Sequence, residues 1–235
     1  LKLFSGFDVK VGYSARNEAG NDTAAGSTSD PSYWSGSATY ANGPILAAVA
    51  HEVEKNVVAA VGSNIGTLGN ITFSAAAADT KQTTTRAGFG YNFGVAKVGV
   101  GYNTTKVTNN ALGGSTAKVN SWMLSGAYTM GKTTLKAQYV KSGDTSGSGS
   151  ATTASSQGAK QWTLGADYSL SKRTNLYALY TKLQNDTNSS RKLGNNAGAA
   201  GAASVIGGNT CIATVSAASA SQDPSAFSVG FVHSF

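Results

Sequence analysis

The chain has 235 residues, a formal net charge of +7 and only 12% charged residues, about half the share usual in a soluble globular protein. Its basic residues are scattered rather than gathered in a run, which argues against nucleic-acid binding. Cys211 is the only cysteine, so no internal disulfide can form, and we expect a passive loop residue. No run of 18 apolar residues occurs, so no helix is predicted to span a membrane.

Ten segments alternate between bulky apolar and small polar residues, as in strands whose successive side chains face opposite sides. In chain order they are residues 6–15, 33–40, 45–54, 82–93, 97–107, 118–130, 133–141, 160–170, 174–184 and 226–235. In segment 174–184 the facing is ambiguous, because bulky residues occur on both sides. The competing residues are Tyr177 and Leu179 on one side and Leu176 and Tyr180 on the other. The pattern predicts an all-β, antiparallel, up-and-down fold.

The connections between these segments are alternately long and short. The short ones are tight turns, such as the Asn-Gly at residues 42–43, and the long ones include the Gly/Ser/Thr-rich stretch 142–159. Short turns at one rim and long loops at the other are typical of a transmembrane β-barrel. Within the long connection 55–81, residues 71–73 are compatible with a short extra strand and residues 75–78 with a helical turn; the sequence leaves both open.

The final segment shows the expected two faces most plainly. Phe227, Val229 and Phe231 share one side, small residues such as Gly230 share the other, and the chain ends on Phe235. A soluble β-sandwich would also alternate, with its bulky faces packed together. However, Trp and Tyr occur near the segment ends, as membrane interfaces require, and the opposite faces carry few long charged side chains. The membrane interpretation is therefore favoured, with Phe235 at the membrane boundary.

A catalytic function is not indicated by the histidines. His51 and His233 are the only two, and alternation places both on the bulky, outward side of their strands. A hydrolytic site needs a base with a carboxylate partner, and a metal site needs a cluster of ligands. The sequence offers neither arrangement, so we predict no enzyme, no cofactor and no metal.

Two stretches carry a resemblance to a known family. They are residues 168–177, Tyr-Ser-Leu-Ser-Lys-Arg-Thr-Asn-Leu-Tyr, and residues 229–235, Val-Gly-Phe-Val-His-Ser-Phe. Residues 37–44 and 91–99 also look like hairpins of that family, and residues 4–7 look like the start of one of its strands. The chain thus resembles the general porins of the Gram-negative outer membrane, especially the β-proteobacterial kind.

The resemblance implies a homotrimer of barrels with about sixteen strands each, wide enough for water. This chain would supply the last ten strands of one single-domain barrel, 1–235, without its opening strands or the acidic loop that narrows the pore. Its C-terminus would be periplasmic, and its partners would be outer-membrane lipid, lipopolysaccharide, small anions and hydrophilic solutes, with no nucleic acid. A closed ten-stranded barrel with an enzymatic or adhesive role stays open as the alternative.

Alternation also predicts which charged side chains line a channel. The predicted lining residues are Lys10, Arg16, Arg86, Lys97, Lys136 and Asp167, with Asp8, Glu52 and Glu54 as further inward acids. Basic linings favour anions, so we expect a passive channel with weak anion preference. Arg86 is the first candidate for selectivity, placed near the upper end of its strand; its alternative role is an ion pair that anchors a loop.

Overall fold

In a computed structural model, the described part of the chain is built from β-strands, turns and loops. The structure describes residues 6–15, 32–55, 71–73, 80–110, 114–148, 151–153, 155–189, 191, 193 and 222–234, with only the backbone for 71–73 and 151–153. Several predictions concern residues outside these ranges, namely Arg16, Cys211, Phe235 and the helical turn at 75–78. The described residues contain no helix that is long and apolar enough to cross a membrane.

The structure describes thirteen strands, of which ten are long and three are short. They are β1 (Phe7–Ala15), β2 (Ser32–Asn42), β3 (Ile45–Lys55), β4 (Ile71–Phe73), β5 (Thr80–Asn92), β6 (Ala96–Asn109), β7 (Ser115–Met130), β8 (Thr133–Ser142), β9 (Ser146–Ser148), β10 (Ala151–Thr153), β11 (Ala159–Ser169), β12 (Thr174–Asn185) and β13 (Ser225–His233). The ten long strands are the ten predicted ones, with described bounds that agree within three residues.

The long strands form one antiparallel sheet in the order β1-β2-β3-β5-β6-β7-β8-β11-β12-β13. Each long strand therefore pairs with the long strands before and after it in sequence, which confirms the up-and-down topology. No pairing among the described strands joins β1 to β13. That these strands belong to a barrel of about sixteen stays a prediction.

Two short strands were not predicted, and the prediction of a plain loop at 142–159 was wrong. β7 has 16 residues and β8 only 10, so one end of β7 extends beyond its partner. The unpaired backbone groups there are taken up by β9, which pairs Ser148 with Thr116. β10 pairs with β4, so the short strand proposed at residues 71–73 is present. The predicted segments 97–107 and 118–130 were also too short, because β6 ends at Asn109 and β7 begins at Ser115.

The turns between the long hairpin strands collect at one edge of the sheet. The short connections are residues 43–44, 93–95, 131–132 and 170–173, and we call their edge the short-turn rim. Gly43 and Gly131 have φ of 54° and 58°, a region that glycine enters without the clash of a Cβ. The opposite edge, which bears the longer connections, is the long-loop rim. This asymmetry is the predicted one.

The two faces of the sheet differ as predicted. On the outer face, Phe231 is 72% and Trp162 50% exposed, so no protein layer covers these large apolar side chains. Near the long-loop rim, aromatic rings touch one another around the sheet, with centroids of Trp122 and Tyr139 5.1 Å apart and those of Tyr139 and Trp162 4.2 Å apart. A soluble sandwich would bury such rings between two sheets. The exposed apolar face is what a lipid environment requires.

The inner face of the sheet lies opposite the exposed apolar side chains. The strand register shows which side chains of β12, whose facing was ambiguous, belong to it. Leu176 and Tyr180 pair with outer-face residues Tyr168 and Leu164, whereas Leu179 pairs with Gly165 of the inner face and is buried. The buried apolar residues lie mostly on this face toward the long-loop rim, across β6 to β12. They are Val107, Ala117, Val119, Val140, Ala159, Leu179 and Leu183.

Candidate functional site

The inner face curls around a cavity of about 840 Å³. Leu46 on β3 and Ala226 on β13 both line it, although six other long strands separate β3 from β13 in the sheet. Apolar residues and glycines make up most of the lining. The polar and charged side chains among them are Asn92, Lys97, Ser125, Lys136, Gln138, Gln161, Thr163, Asp167, Tyr177 and Thr181. The sheet therefore encloses a space that water and small polar molecules can occupy.

The structure places the predicted lining residues at different levels of the inner face. Lys97, Lys136 and Asp167 line the cavity. Lys10 and Arg86 point the same way, since the register runs from Lys10 through inner-face partners to Arg86, but they lie outside the cavity. Arg86 is the seventh of the thirteen residues of β5, so its predicted place near the strand's upper end was wrong.

Three of the inner-face cations are paired with acids. Lys136 forms an ion pair with Asp167 of the neighbouring strand. Arg86 Nη1 lies 3.3 Å from Glu52 Oε1, and Lys10 Nζ lies 3.7 Å from Asp8 Oδ1. All six side chains are partly exposed, so each pair stabilises the fold by no more than about 1 kcal/mol.

These pairs matter for the charge presented to the cavity. Arg86 meets an acid of the adjacent strand β3, so within the described residues its ion pair joins two strands and does not anchor a loop. Lys97 is the one cavity-lining cation without an ion pair among the described residues. It lies beside Lys136 with only Ala127 of β7 between them in the register, a span of roughly 10 Å across two strand spacings. The described cavity wall thus carries two neighbouring ammonium groups, of which one is neutralised.

Tyr177 is a lining residue that the alternation left undecided. It lies directly opposite Gly230 of β13 on the inner face. A Cβ added at Gly230 would stand 2.5 Å from Tyr177 Oη and 2.6 Å from its Cζ, so the ring lies flat over the glycine backbone. Such aromatic cover of a strand glycine holds the ring against the wall. The inward glycine of β13 was the signal in the sequence, but only the register shows which ring it admits.

A polar cluster at the long-loop rim was not predicted at all. The Asn185 side chain accepts hydrogen bonds from Ser189 Oγ at 2.9 Å and from the Arg191 N–H at 3.1 Å, and donates one to the Arg191 carbonyl at 2.8 Å. Asp144 accepts from the Gln157 N–H at 2.8 Å. These bonds hold the segment after β12 against the inner side of the rim, and Leu193 reaches the cavity.

Arg191 is the buried charge of this cluster, with 6% exposure. Burial lowers the pKa of its guanidinium to about 10, and the nearby negative charges of Asp144 and Asp186 partly offset that effect. Sequence reasoning missed Arg191 because it lies in an irregular stretch without periodicity. Its burial makes it a structural group of the rim, with little access to ions in the cavity.

Comparison with solved structures supports the same fold. OmpT (in-vitro folded), an outer membrane protein of Vibrio cholerae, is 18% identical, with a TM-score of 0.63 over 97% of this chain and 60% of its own. The trimer form of OmpT is 18% identical, with a TM-score of 0.58 over 87% of this chain and 56% of its own. A porin refined at 1.8 Å resolution is 17% identical, with a TM-score of 0.51 over 77% of this chain and 53% of its own. At such identities the likeness shows the fold alone.

The chain spans between 53% and 60% of the length of these structures. None of the curated proteins matches it. A family model described as Gram-negative porin, however, matches residues 2–188 of the 235. That match covers most of the chain and agrees with the antiparallel sheet, its apolar outer face and a cavity lined in part by polar side chains. The chain therefore belongs to the Gram-negative porin family, whose members are β-barrel proteins of the outer membrane.

Proposed function

We propose that the protein is a passive diffusion channel for small hydrophilic solutes and ions, with weak anion preference and no catalytic activity. The observation that carries this proposal is the cavity of about 840 Å³ on the inner face, whose lining includes charged and hydrogen-bonding side chains, in a sheet whose outer face is apolar. The Gln, Thr, Lys and Asp side chains in its lining offer hydrogen bonds to water and polar solutes.

The weakness of the preference follows from the ion pairs. Lys136 is neutralised by Asp167, and Arg86 by Glu52, so their fields at a distance largely cancel. Lys97 keeps its charge at the cavity wall near the short-turn rim, as the second residue of β6. One uncompensated cation raises the local concentration of anions, but screening at physiological salt limits its reach to about 8 Å.

The test is a reversal-potential measurement on the intact protein in a planar bilayer under a KCl gradient. The wild type is expected to show a small anion-selective potential, and Lys97→Gln is expected to move it toward the unselective value. Lys172→Gln removes the same charge from the exposed turn between β11 and β12 and serves as the matched control. Clear cation preference in the wild type, or equal shifts in both variants, would contradict the proposal.

The enzymatic alternative gains no support from the histidines. His51 Nδ1 lies 2.8 Å from Thr85 Oγ1, and His233 Nδ1 lies 2.8 Å from Thr174 Oγ1. Both rings are on the outer face, away from the cavity. In the part of the chain that the structure describes, no observation favours a hydrolytic or adhesive role over a channel.

We extend the proposal to assembly and orientation. The trimer form of OmpT from Vibrio cholerae suggests a homotrimer for this protein too, which cross-linking of native membranes would test. Short turns face the periplasm in outer-membrane barrels, so the end of β13 at the short-turn rim would be periplasmic. Outer-membrane lipid and lipopolysaccharide would then surround the outer face. A tag after β13 should stay protected in whole cells and become accessible once the outer membrane is opened.

A further inference from the structure

The two methionines of the chain lie on the same strand, β7, but on opposite faces of the sheet. Met123 pairs with Gly101 and Val140 of the inner face, lines the cavity and is half-buried. Met130 ends β7 at the short-turn rim and is 48% exposed on the outer face. The same chemical group is therefore presented to the cavity by one residue and to the surroundings of the apolar outer face by the other.

The thioether of Met123 is held between two neighbouring strands. Its Cε lies over Gly101 of β6, where an added Cβ would stand 3.4 Å from that methyl group. On the other side, Gln138 of β8 donates a hydrogen bond from Nε2 to Met123 Sδ, at 2.7 Å. A methionine side chain is ordinarily flexible, and its sulfur is a weak acceptor. The contacts of Met123 on both sides fix the directions in which the lone pairs of its sulfur point.

The two lone pairs of this sulfur are not equivalent in their surroundings. One is directed at the Gln138 amide, which covers that side of the sulfur atom. Because Met123 lines the cavity, the other lone pair is the one that a small molecule inside the cavity can reach. Methionine sulfoxide is chiral at sulfur, so attack through one lone pair gives a different epimer from attack through the other. The position of Gln138 therefore selects one epimer.

We propose that Met123 is an oxidation site, at which small peroxides that enter the cavity form methionine sulfoxide of a single configuration. The Sδ lone pair that faces the cavity attacks the terminal peroxide oxygen, so that the S–O bond forms as the O–O bond breaks. The sulfur loses two electrons and the peroxide gains them. The departing fragment takes the proton of the transferred hydroxyl and leaves as water from hydrogen peroxide, or as hydrogen sulfate from peroxymonosulfate.

The test uses the intact protein in phosphatidylcholine vesicles and peroxymonosulfate, an anionic peroxide that does not enter the lipid. Peptide mass spectrometry follows oxidation of Met123 and of Met130, both in folded protein and in protein unfolded in urea. The peptides that contain the sulfoxide are then treated with one of two methionine sulfoxide reductases, each of which reduces only one epimer. Gln138→Ala is measured in the same way, and a cooperative urea transition shows that this variant folds.

In the folded wild type, Met123 should be oxidised about tenfold faster than Met130, because the peroxide reaches the cavity but not a lipid-facing side chain. In unfolded protein the two rates should be equal. One reductase should act on nearly all the Met123 sulfoxide of the folded wild type, whereas each should act on about half of that from Gln138→Ala. Equal rates in folded protein, an epimer mixture in the wild type, or a single epimer in Gln138→Ala would overturn the proposal.

Conductance in a planar bilayer separates this inference from the proposed function, on whose water-filled cavity it rests. Oxidation should lower the single-channel conductance of the wild type, because an oxygen atom is added in the path of water, and it should leave that of Met123→Leu unchanged. An equal fall in Met123→Leu would contradict the proposal. A wild type that conducts but is not oxidised at Met123 would overturn the inference alone, and one that is oxidised there but does not conduct would overturn the proposed function alone.

Discussion

Replacement of Gly230 by alanine tests the structural reading of the cavity wall most directly. The added Cβ would meet Tyr177 Oη at 2.5 Å, Cζ at 2.6 Å and Cε1 at 2.8 Å. Carbon atoms in contact are ordinarily about 3.5–4.0 Å apart, so the ring must move by roughly 1 Å or more. The colliding atoms are the far end of the ring, and the cavity lies on its open side. We therefore expect the ring to swing into the cavity rather than the strands to separate.

The expected change in stability depends on how freely the Tyr177 ring can move. Overpacking a well-filled site lowers the free energy of unfolding by about 1–3 kcal/mol. Because the end of the ring can move, we expect a value at the lower end of this range. Replacing a strand glycine by alanine also raises the free energy of unfolding by about 0.5–1 kcal/mol, because the unfolded chain has less conformational freedom to lose. The net change in the free energy of unfolding should be within about 1 kcal/mol of zero. Single-channel conductance should fall, because the displaced phenol narrows the water-filled path.

The assays are urea unfolding in vesicles and conductance in a planar bilayer, both on the intact protein. Gly88→Ala is the matched control, since its added Cβ would have only the Val100 carbonyl oxygen within 4 Å, at 3.6 Å. When Gly230→Ala is added to a protein that already carries Tyr177→Ser, it should stabilise that protein and leave its conductance unchanged. If Gly230→Ala and Gly88→Ala behave alike, or if Tyr177→Ser does not remove the conductance loss, the reasoning fails.

Three further variants test the charges and the rim. Arg86→Gln leaves Glu52 without its partner, so the reversal potential should shift toward cation preference, while stability falls by no more than about 1 kcal/mol. Asp167→Asn frees the Lys136 ammonium, so the potential should shift the opposite way; a shift of the same sign in both would contradict the pairing. Asn185→Ala removes four side-chain hydrogen bonds at the long-loop rim. It should destabilise the protein by about 1–3 kcal/mol and speed cleavage of the segment after β12 by added protease, whereas Asn120→Ala on the outer face should do neither.

The sequence predicted strands wherever the two faces differ strongly in character. In β11, Trp162 and Leu164 alternate with Gln161 and Thr163, and the strand was placed within one residue. β9 and β10 consist of Ser, Gly, Ala and Thr, so neither face stands out and their pairing depends on strand edges elsewhere. In β12 bulky residues occur on both faces, because Gly230 and Gly165 on the neighbouring strands make room for Tyr177 and Leu179. The facing of β12 therefore could not be predicted from the sequence of β12 itself.

The candidate site was predictable only in part for a related reason. Alternation assigns Arg86 and Glu52 to the inner face, but their contact depends on the register of β5 against β3. The connection of residues 56–79 between those strands is long enough to allow many registers. Lys136 and Asp167 are likewise joined across residues 143–158. The sequence alone identified the inward-facing charged residues, but it did not show which of them form ion pairs.

The positions of the charges change how the chain's net charge should be interpreted. The formal charge of +7 suggests an anion-attracting pore if it is assigned to the lumen. On the described long strands, however, the inner face carries four cations, Lys10, Arg86, Lys97 and Lys136, and four acids, Asp8, Glu52, Glu54 and Asp167. The outer face of these strands carries no acid and seven lysines, namely Lys55, Lys81, Lys106, Lys118, Lys141, Lys160 and Lys182. The excess positive charge on the described strands therefore lies on the outer face, and a local feature such as Lys97 must supply any selectivity of the proposed channel.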